Sequence, residues 1–380
     1  MIENNVQLPD EYDSIFHDLE PFWGIEPHEL VRLRDELETR ADSYTLGKIN
    51  GTKIGVVNHA LNNEHLIKNS EPVVRLLGYI DEFLPPFRAV FSPHDSPGRL
   101  SDYGVKSAAL RAAHNSSCMS SSNLSPFTDL KPHCLAIERG HLPMINNIGW
   151  LAACPPSSPA RSTPITLDAP PSRPSQKTFI HDHRLSMDPC LHPDLFYHHG
   201  EFLSQELGPT PRRELVPLFS FCSTTVHQDV RVPSTYGWVE EPMGPLEDPD
   251  WDDRLEERLG WRGANTGIWH GEGMRWRESH RASLVRFANA LNGTTRVLLP
   301  TKSDKDRVGA SKEMRNGRLN PGMFDVSFAG EPLGCDGSSE CEVLRTAFRW
   351  EAKQNLREAG KYRYILDVCS PPLALILSMC

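Results

Sequence analysis

The sequence has no run of about 18 apolar residues, the length that a helical membrane span requires. Its best stretch, Leu373 to Met379, is far shorter, so no membrane span is expected. It also lacks an excess of positive charge: 40 Lys and Arg stand against 50 Asp and Glu, a formal net charge of −10. A broad grip on nucleic-acid phosphates needs cations clustered on one face, and a nucleic-acid partner is not expected. Neither the dinucleotide fingerprint nor the Walker loop is present, and no internal repeat is visible. The opening Met1-Ile2-Glu3-Asn4-Asn5 has neither the basic nor the apolar region of a signal peptide.

Proline, by contrast, is abundant: 32 among 380 residues, where about 5% is usual. Long irregular connections follow. With 38% hydrophobic and 24% charged residues the composition is globular, and the length suits two domains, each with its own core. Nine cysteines are an odd number, which leaves at least one without a partner inside the chain. Cys335 and Cys341 bracket a short Gly-Ser loop and read equally as a disulfide or as two thiols. Asn50-Gly-Thr, Asn115-Ser-Ser, Asn123-Leu-Ser and Asn292-Gly-Thr fit the N-glycosylation pattern and permit a secretory address.

Hydrophobic spacing predicts a helix from His28 to Ala41, with Leu30, Leu33 and Leu37 on one face. Phe87 to Phe91 reads as a strand that ends in Ser92-Pro93-His94-Asp95-Ser96-Pro97, where two prolines force a loop. Long irregular loops are expected over 107–147 and 154–178, from serine- and proline-rich composition. A His-rich patch runs from His181 to His199. Pro217 to Cys222 reads as a strand, and the acidic run Glu240 to Asp253 reads as a connection between domains. Beyond it, Arg258 to Gly267 reads as a strand entering a Gly-containing loop, and Ser279 as the cap of a helix that stops at Gly293. Thr295 to Leu299 and Tyr364 to Val368 are apolar runs of buried-strand type, with a helical Glu342 to Glu358 between them. The alternation predicts an α/β sheet.

Three groups of residues carry chemistry. Trp261-Arg262-Gly263-Ala264-Asn265-Thr266-Gly267, with Arg275, Arg277 and Arg281 near a helix start, offers guanidinium and N–H donors for a diphosphate; the competing reading is ordinary surface arginines. Asp95 is a carboxylate in a Pro-braced loop at a strand end, suited to a general base or to capping its own turn. The His181–His199 patch has imidazoles beside carboxylates, as metal sites do, although its spacing matches no standard ligand pair.

In this order along the chain, the segments resemble glycosyltransferase family 90, the fungal capsule-associated xylosyltransferase and protein O-glucosyltransferase type. The resemblance rests on Phe91-Ser-Pro-His-Asp-Ser-Pro97, Ser101-Asp-Tyr-Gly-Val-Lys106, Lys177-Thr-Phe-Ile-His-Asp-His-Arg184, Phe219-Ser-Phe-Cys-Ser-Thr-Thr225, Trp261-Arg-Gly-Ala-Asn-Thr-Gly267 and Ser279-His-Arg-Ala-Ser-Leu-Val285. It covers Phe16 to Val368. It implies a GT-B-like pair of Rossmann-type domains facing across a cleft, with an acceptor-side domain over 1–240 and a partial donor domain over 241–368. A tail over 369–380 falls outside the family pattern, so the donor domain is expected to be cut short. The implied activity is inverting, metal-independent transfer of xylose or glucose from a UDP-sugar to a hydroxyl of a glycan or protein, with no cofactor. Asp95 would be the catalytic base, and Arg262, Gly263, Asn265, Thr266 and Arg281 the donor-binding residues. A Golgi or secretory-lumen location is implied as well. Two rival expectations are a remnant acting only as a binding module and a metal-dependent enzyme built on the His181–His199 patch.

Overall fold

A computed structural model describes residues 13–40, 42–49, 52–59, 69–119, 149–162, 182–205, 207–232, 249–303, 309–335 and 337–366. The chain is mixed α/β and divides into two units. One runs to Phe196 and resumes over Gln205–Trp238; the other takes Tyr197–Ser204 and resumes at Val239. The boundary expected at 240/241 keeps all of the His-rich patch in the first part, whereas Tyr197–Ser204 belongs to the second unit.

In the first unit, helices α1 (Asp13–Trp23) and α2 (Pro27–Glu38) precede strands β1 (Tyr44–Lys48) and β2 (Gly55–His59), α3 (Ser70–Gly78), β3 (Phe87–Phe91) and α4 (Tyr103–His114). Short helices α5 (Pro159–Ser162) and α6 (His183–Ser186) and strands β4 (Leu218–Ser220) and β5 (Val230–Arg231) follow. The α2 helix starts where it does because Pro27 presets its first turn and the Glu26 carboxylate accepts the Glu29 N–H. The sheet runs β2-β1-β3-β4-β5. Its β1 is antiparallel to both neighbours, whereas β3, β4 and β5 are parallel. Leu33 and Leu37 of α2 pack on Val90, Val216 and Leu218, and Tyr44, Phe91 and Phe219 stack through the sheet at 5.5 and 5.2 Å.

Two segments expected to be irregular loops begin as ordered structure. Over 107–147 the first part is helical, because the Asp102 carboxylate caps α4 at the Val105 N–H and alanines at 108, 109 and 112 bury one helix face. Over 154–178 the chain starts ordered: Cys154 is bonded to Cys190, and α5 buries Ala160 beside it.

The second unit contains α7 (Gly200–Leu203), β6 (Glu256–Gly263), α8 (His280–Asn289), β7 (Thr294–Leu298), β8 (Ser311–Arg315), α9 (Asn316–Met323) and β9 (Phe324–Ala329). It ends with α10 (Ser338–Ala347), β10 (Trp350–Glu351), α11 (Leu356–Ala359) and β11 (Tyr362–Ile365). Its sheet is all parallel in the order β10-β9-β6-β11. The chain therefore adds β9 and β10 on one side of β6 and then reverses to place β11 on the other. Trp261 of β6 and Val326 and Phe328 of β9 share one sheet face with Val285 and Ala288 of α8.

Three expectations differ from this arrangement. The run near Thr295 to Leu299 is not a buried strand of the sheet: β7 pairs only with β8 in a separate antiparallel ribbon, and Leu298 is 65% exposed. The single helix over Glu342 to Glu358 is two short helices with β10 between them, because Phe348 and Trp350 turn in against Phe328. Ser279 does precede α8, but its side chain makes no capping hydrogen bond. No described helix is long and apolar enough to cross a membrane.

Candidate functional site

The first unit presents Asp95 at the carboxyl end of β3. Its side chain is exposed, while the loop that carries it is held on every side. Ser92 N–H donates to the Phe219 carbonyl at 2.8 Å, Asn69 Nδ2 to the Pro93 carbonyl at 2.8 Å, and the Cys222 thiol to the Asp95 carbonyl at 3.0 Å. At the far end of the loop, Asp229 accepts the Gly98 and Arg99 N–H groups, each at 3.0 Å, and the Ser220 hydroxyl at 2.9 Å. A rigid frame with an outward carboxylate is the geometry a general base needs.

Behind the loop, Lys106 of α4 donates to the Thr225 and His227 carbonyls, both at 2.9 Å. Burial pushes its pKa down to about 8. His227 lies edge-on to Trp150 with Nδ1 2.7 Å from the Thr224 hydroxyl. Burial, assisted by Lys106, holds its pKa near 3, so it is neutral. These groups fix the turn after β4. Nothing in the sequence singled out Asp229, Lys106 or His227 as a set, because they meet only through the fold.

In the second unit, β6 passes through a loop over 264–279 into α8, at the place in the sheet where the strand order reverses. Thr266 is exposed in that loop. Arg281, on the first turn of α8, donates to the Ala264 and Thr266 carbonyls at 3.0 Å and to the Thr266 hydroxyl at 2.8 Å. These two residues stand together at the helix start. Asn265 is 2% exposed and reads the Leu333 backbone: Nδ2 donates to its carbonyl at 2.8 Å and Oδ1 accepts its N–H at 3.0 Å. It thereby joins the loop after β6 to the loop after β9. His270 N–H donates to the Gly334 carbonyl at 2.7 Å and strengthens the same join. The bridge Cys335–Cys341 closes that second loop, which decides between the two readings of this cysteine pair.

Arg262 and Gly263 are not brought to the loop. The Arg262 side chain is 9% exposed and pairs with Asp325 at 2.8 Å, while also donating to the Asp325 carbonyl at 2.7 Å. A Cβ on Gly263 would lie 2.5 Å from the Trp261 ring. Glycine is therefore required there by core packing.

One part of the His-rich patch does reach the 264–281 region. His199 stacks on His280, the first residue of α8, at 5.5 Å. Gly200 lies so close to the chain that a Cβ would be 2.0 Å from the Gly267 carbonyl oxygen, and the Arg275 guanidinium sits 5.5 Å above the Tyr197 ring. Burial, with His280 beside it, pushes the His199 pKa down to about 4, so the imidazole is neutral. Among the described residues no group of three or more His, Cys, Asp or Glu is arranged to hold a metal ion. His181 and the His183 side chain lie outside the described residues.

Compared with protein-family models, curated proteins and solved structures, the chain matches none.

Proposed function

We propose that the chain is a UDP-sugar-dependent inverting glycosyltransferase of the GT-B-like type, transferring xylose or glucose to a hydroxyl of a glycan or protein. The observation that carries this reading is the parallel order β10-β9-β6-β11 with the β6–loop–α8 turn at its reversal point. In open parallel sheets ligands bind outside the carboxyl ends of the strands at such a point, and a helix start there favours phosphate. The diphosphate would meet the first turn of α8, Thr266 and Arg281, with Asn265 holding the two loops in register and Arg262 fixing the strand behind them. Developing charge on the leaving group can be stabilised by such fixed donors.

Asp95 would take the proton of the acceptor hydroxyl, and its braced, exposed carboxylate supports that role. The disulfides Cys154–Cys190 and Cys335–Cys341 support a secretory or Golgi address, where thiols are oxidised. Asp95→Asn is expected to lower transfer by about 10²–10⁴-fold while the thermal shift produced by UDP is unchanged. Transfer at the wild-type rate in this variant would remove Asp95 from the role, and a wild-type protein whose midpoint ignores UDP would remove the transferase reading. In that case the binding-module alternative takes its place.

A further inference from the structure

Buried polar groups in folded proteins nearly always have hydrogen-bond partners, and a buried charge without a counter-ion is costlier still. The first unit departs from this at the end of the Asp95 loop. Arg99 is 8% exposed, and among the described residues its Nε, sealed from solvent, has no hydrogen-bond partner. The two acids in range, Asp229 and Glu214, act on it only through space. Asp229 is unavailable for a reason visible in the geometry: it spends Oδ1 on the Gly98 N–H and the Ser220 hydroxyl, and Oδ2 on the backbone N–H of Arg99 itself. Burial first, then repulsion by Arg40, push the Arg99 pKa down to about 10, which leaves the guanidinium charged at neutral pH.

Two neutral groups stand beside it. Leu100 and His227 face each other across an antiparallel bridge, flanked by Ser101 N–H to the Val226 carbonyl and Gln228 N–H to the Arg99 carbonyl, both at 3.0 Å. Side chains alternate along such a ribbon, so Arg99, Ser101 and Gln228 leave it on the same face, opposite to Leu100 and His227. Gln228 is 5% and Ser101 1% exposed. Both amide atoms of Gln228 and the Ser101 hydroxyl are sealed from solvent and lack partners among the described residues. The Arg99 guanidinium, the Gln228 Nε2 amide and the Ser101 hydroxyl leave the ribbon on one face without partners among the described residues, and their N–H and O–H groups are donors of the kind that the oxygens of an anion accept from.

We infer that Arg99, Gln228 and Ser101 form a binding site for an oxyanionic group, carboxylate or phosphate, with the exposed Arg40 and Arg212 attracting it from solvent. Combined with the transferase reading, on which this last step rests, the site takes an acidic substituent of the acceptor, because Arg99 ends the same loop that carries Asp95.

The test is thermal denaturation of the full chain titrated with inorganic phosphate, with glucuronate and with neutral glucose. A saturable rise in midpoint with phosphate, glucuronate or both is expected, with none from glucose, and the responding anion names the source. Arg99→Met should lose that rise and, without ligand, melt higher than the wild type, since an unpaired buried charge has gone. Gln228→Leu, a neutral change, should weaken the response and serves if the first variant does not fold. Wild-type protein indifferent to both anions, or a full response in Arg99→Met or in Gln228→Leu, overturns the site. A UDP titration separates the two readings: absence of a UDP response in the wild type defeats the transferase reading and leaves the anion response standing, and Arg99→Met should respond to UDP as the wild type does.

Discussion

Two buried aspartates, one in each unit, are handled in opposite ways. Asp325 on β9 accepts the Tyr362 hydroxyl at 2.6 Å and pairs with Arg262, Arg349 and Arg258 at 2.8, 3.2 and 3.4 Å. Burial alone would raise its pKa, but the Tyr362 and Arg262 hydrogen bonds outweigh it and hold the carboxyl below its ordinary value. Among the described residues Asp229 has no cation in contact. Its three partners are two backbone N–H groups and a hydroxyl, burial wins over them, and the pKa rises to about 6. The second unit thus neutralises its interior charge within the sheet, where the arginines hold strands together. The first unit uses its acid to shape a loop and leaves the neighbouring Arg99 guanidinium without a contacting counter-ion among the described residues. The satisfied charges around Asp325 bear on stability, whereas Arg99 is the group on which the proposed anion site is built.

The sharpest way to break this contrast is Asp325→Asn, which leaves three arginines around a neutral group. Removing one side of a buried ion-pair network costs about 3–5 kcal/mol, so the denaturant midpoint should fall steeply. A change below about 1 kcal/mol would mean that water already compensates these arginines.

Asp229 provides the next effect, and its sign is opposite to that of an ordinary paired carboxylate. Because the folded pKa of about 6 lies above the unfolded value of 3.8, the protonated form favours folding. That stabilising contribution is fully present below the unfolded pKa and is lost as pH rises through the folded one. Stability should decline by about 3 kcal/mol between roughly pH 4 and pH 6, with Arg99 and Lys106 as the cations in electrostatic range. Asp229→Asn should flatten that segment of the pH profile. It should also disturb the Asp95 loop, since its amide would present a donor to the Gly98 or Arg99 N–H.

Much of the frame around these sites was legible from residue order. Two prolines after Phe91 demand a loop at a strand end, and the strand, Gly-bearing loop and helix of β6 and α8 are readable from Arg258 to Gly267 and from the Ser279 and Gly293 boundaries. What escaped was whatever depends on register or on distant segments. Thr294–Leu298 has the same apolar character whether it joins a buried sheet or forms an exposed ribbon with β8. Arg262 reads as a phosphate ligand from its place beside a Gly-containing loop and a helix start, whereas the register Gly260↔Asp325 puts its guanidinium beside an acid. Tyr197–Ser204 joins the second unit across a long stretch of sequence, and no local pattern announces that. No local pattern marks Arg99 either, because its lack of a hydrogen-bond partner among the described residues is a property of the three-dimensional neighbourhood alone.

The smallest expected effect probes how Asp325 is held. Tyr362 is 7% exposed, and its hydroxyl reaches from β11 to Asp325 on β9 across the intervening β6. Tyr362→Phe keeps the ring and removes one hydrogen bond to a charged acceptor, worth about 1.5–3 kcal/mol. With three guanidinium groups still in place, the loss should lie at the lower end, near 1.5 kcal/mol by chemical denaturation. In Asp325→Asn the same tyrosine change should cost less, because the charge that strengthens the bond is gone. A double-mutant cycle measures this coupling. Coupling indistinguishable from zero would show that the arginines alone stabilise Asp325 and that β11 is held to the sheet by its backbone ladder and by packing.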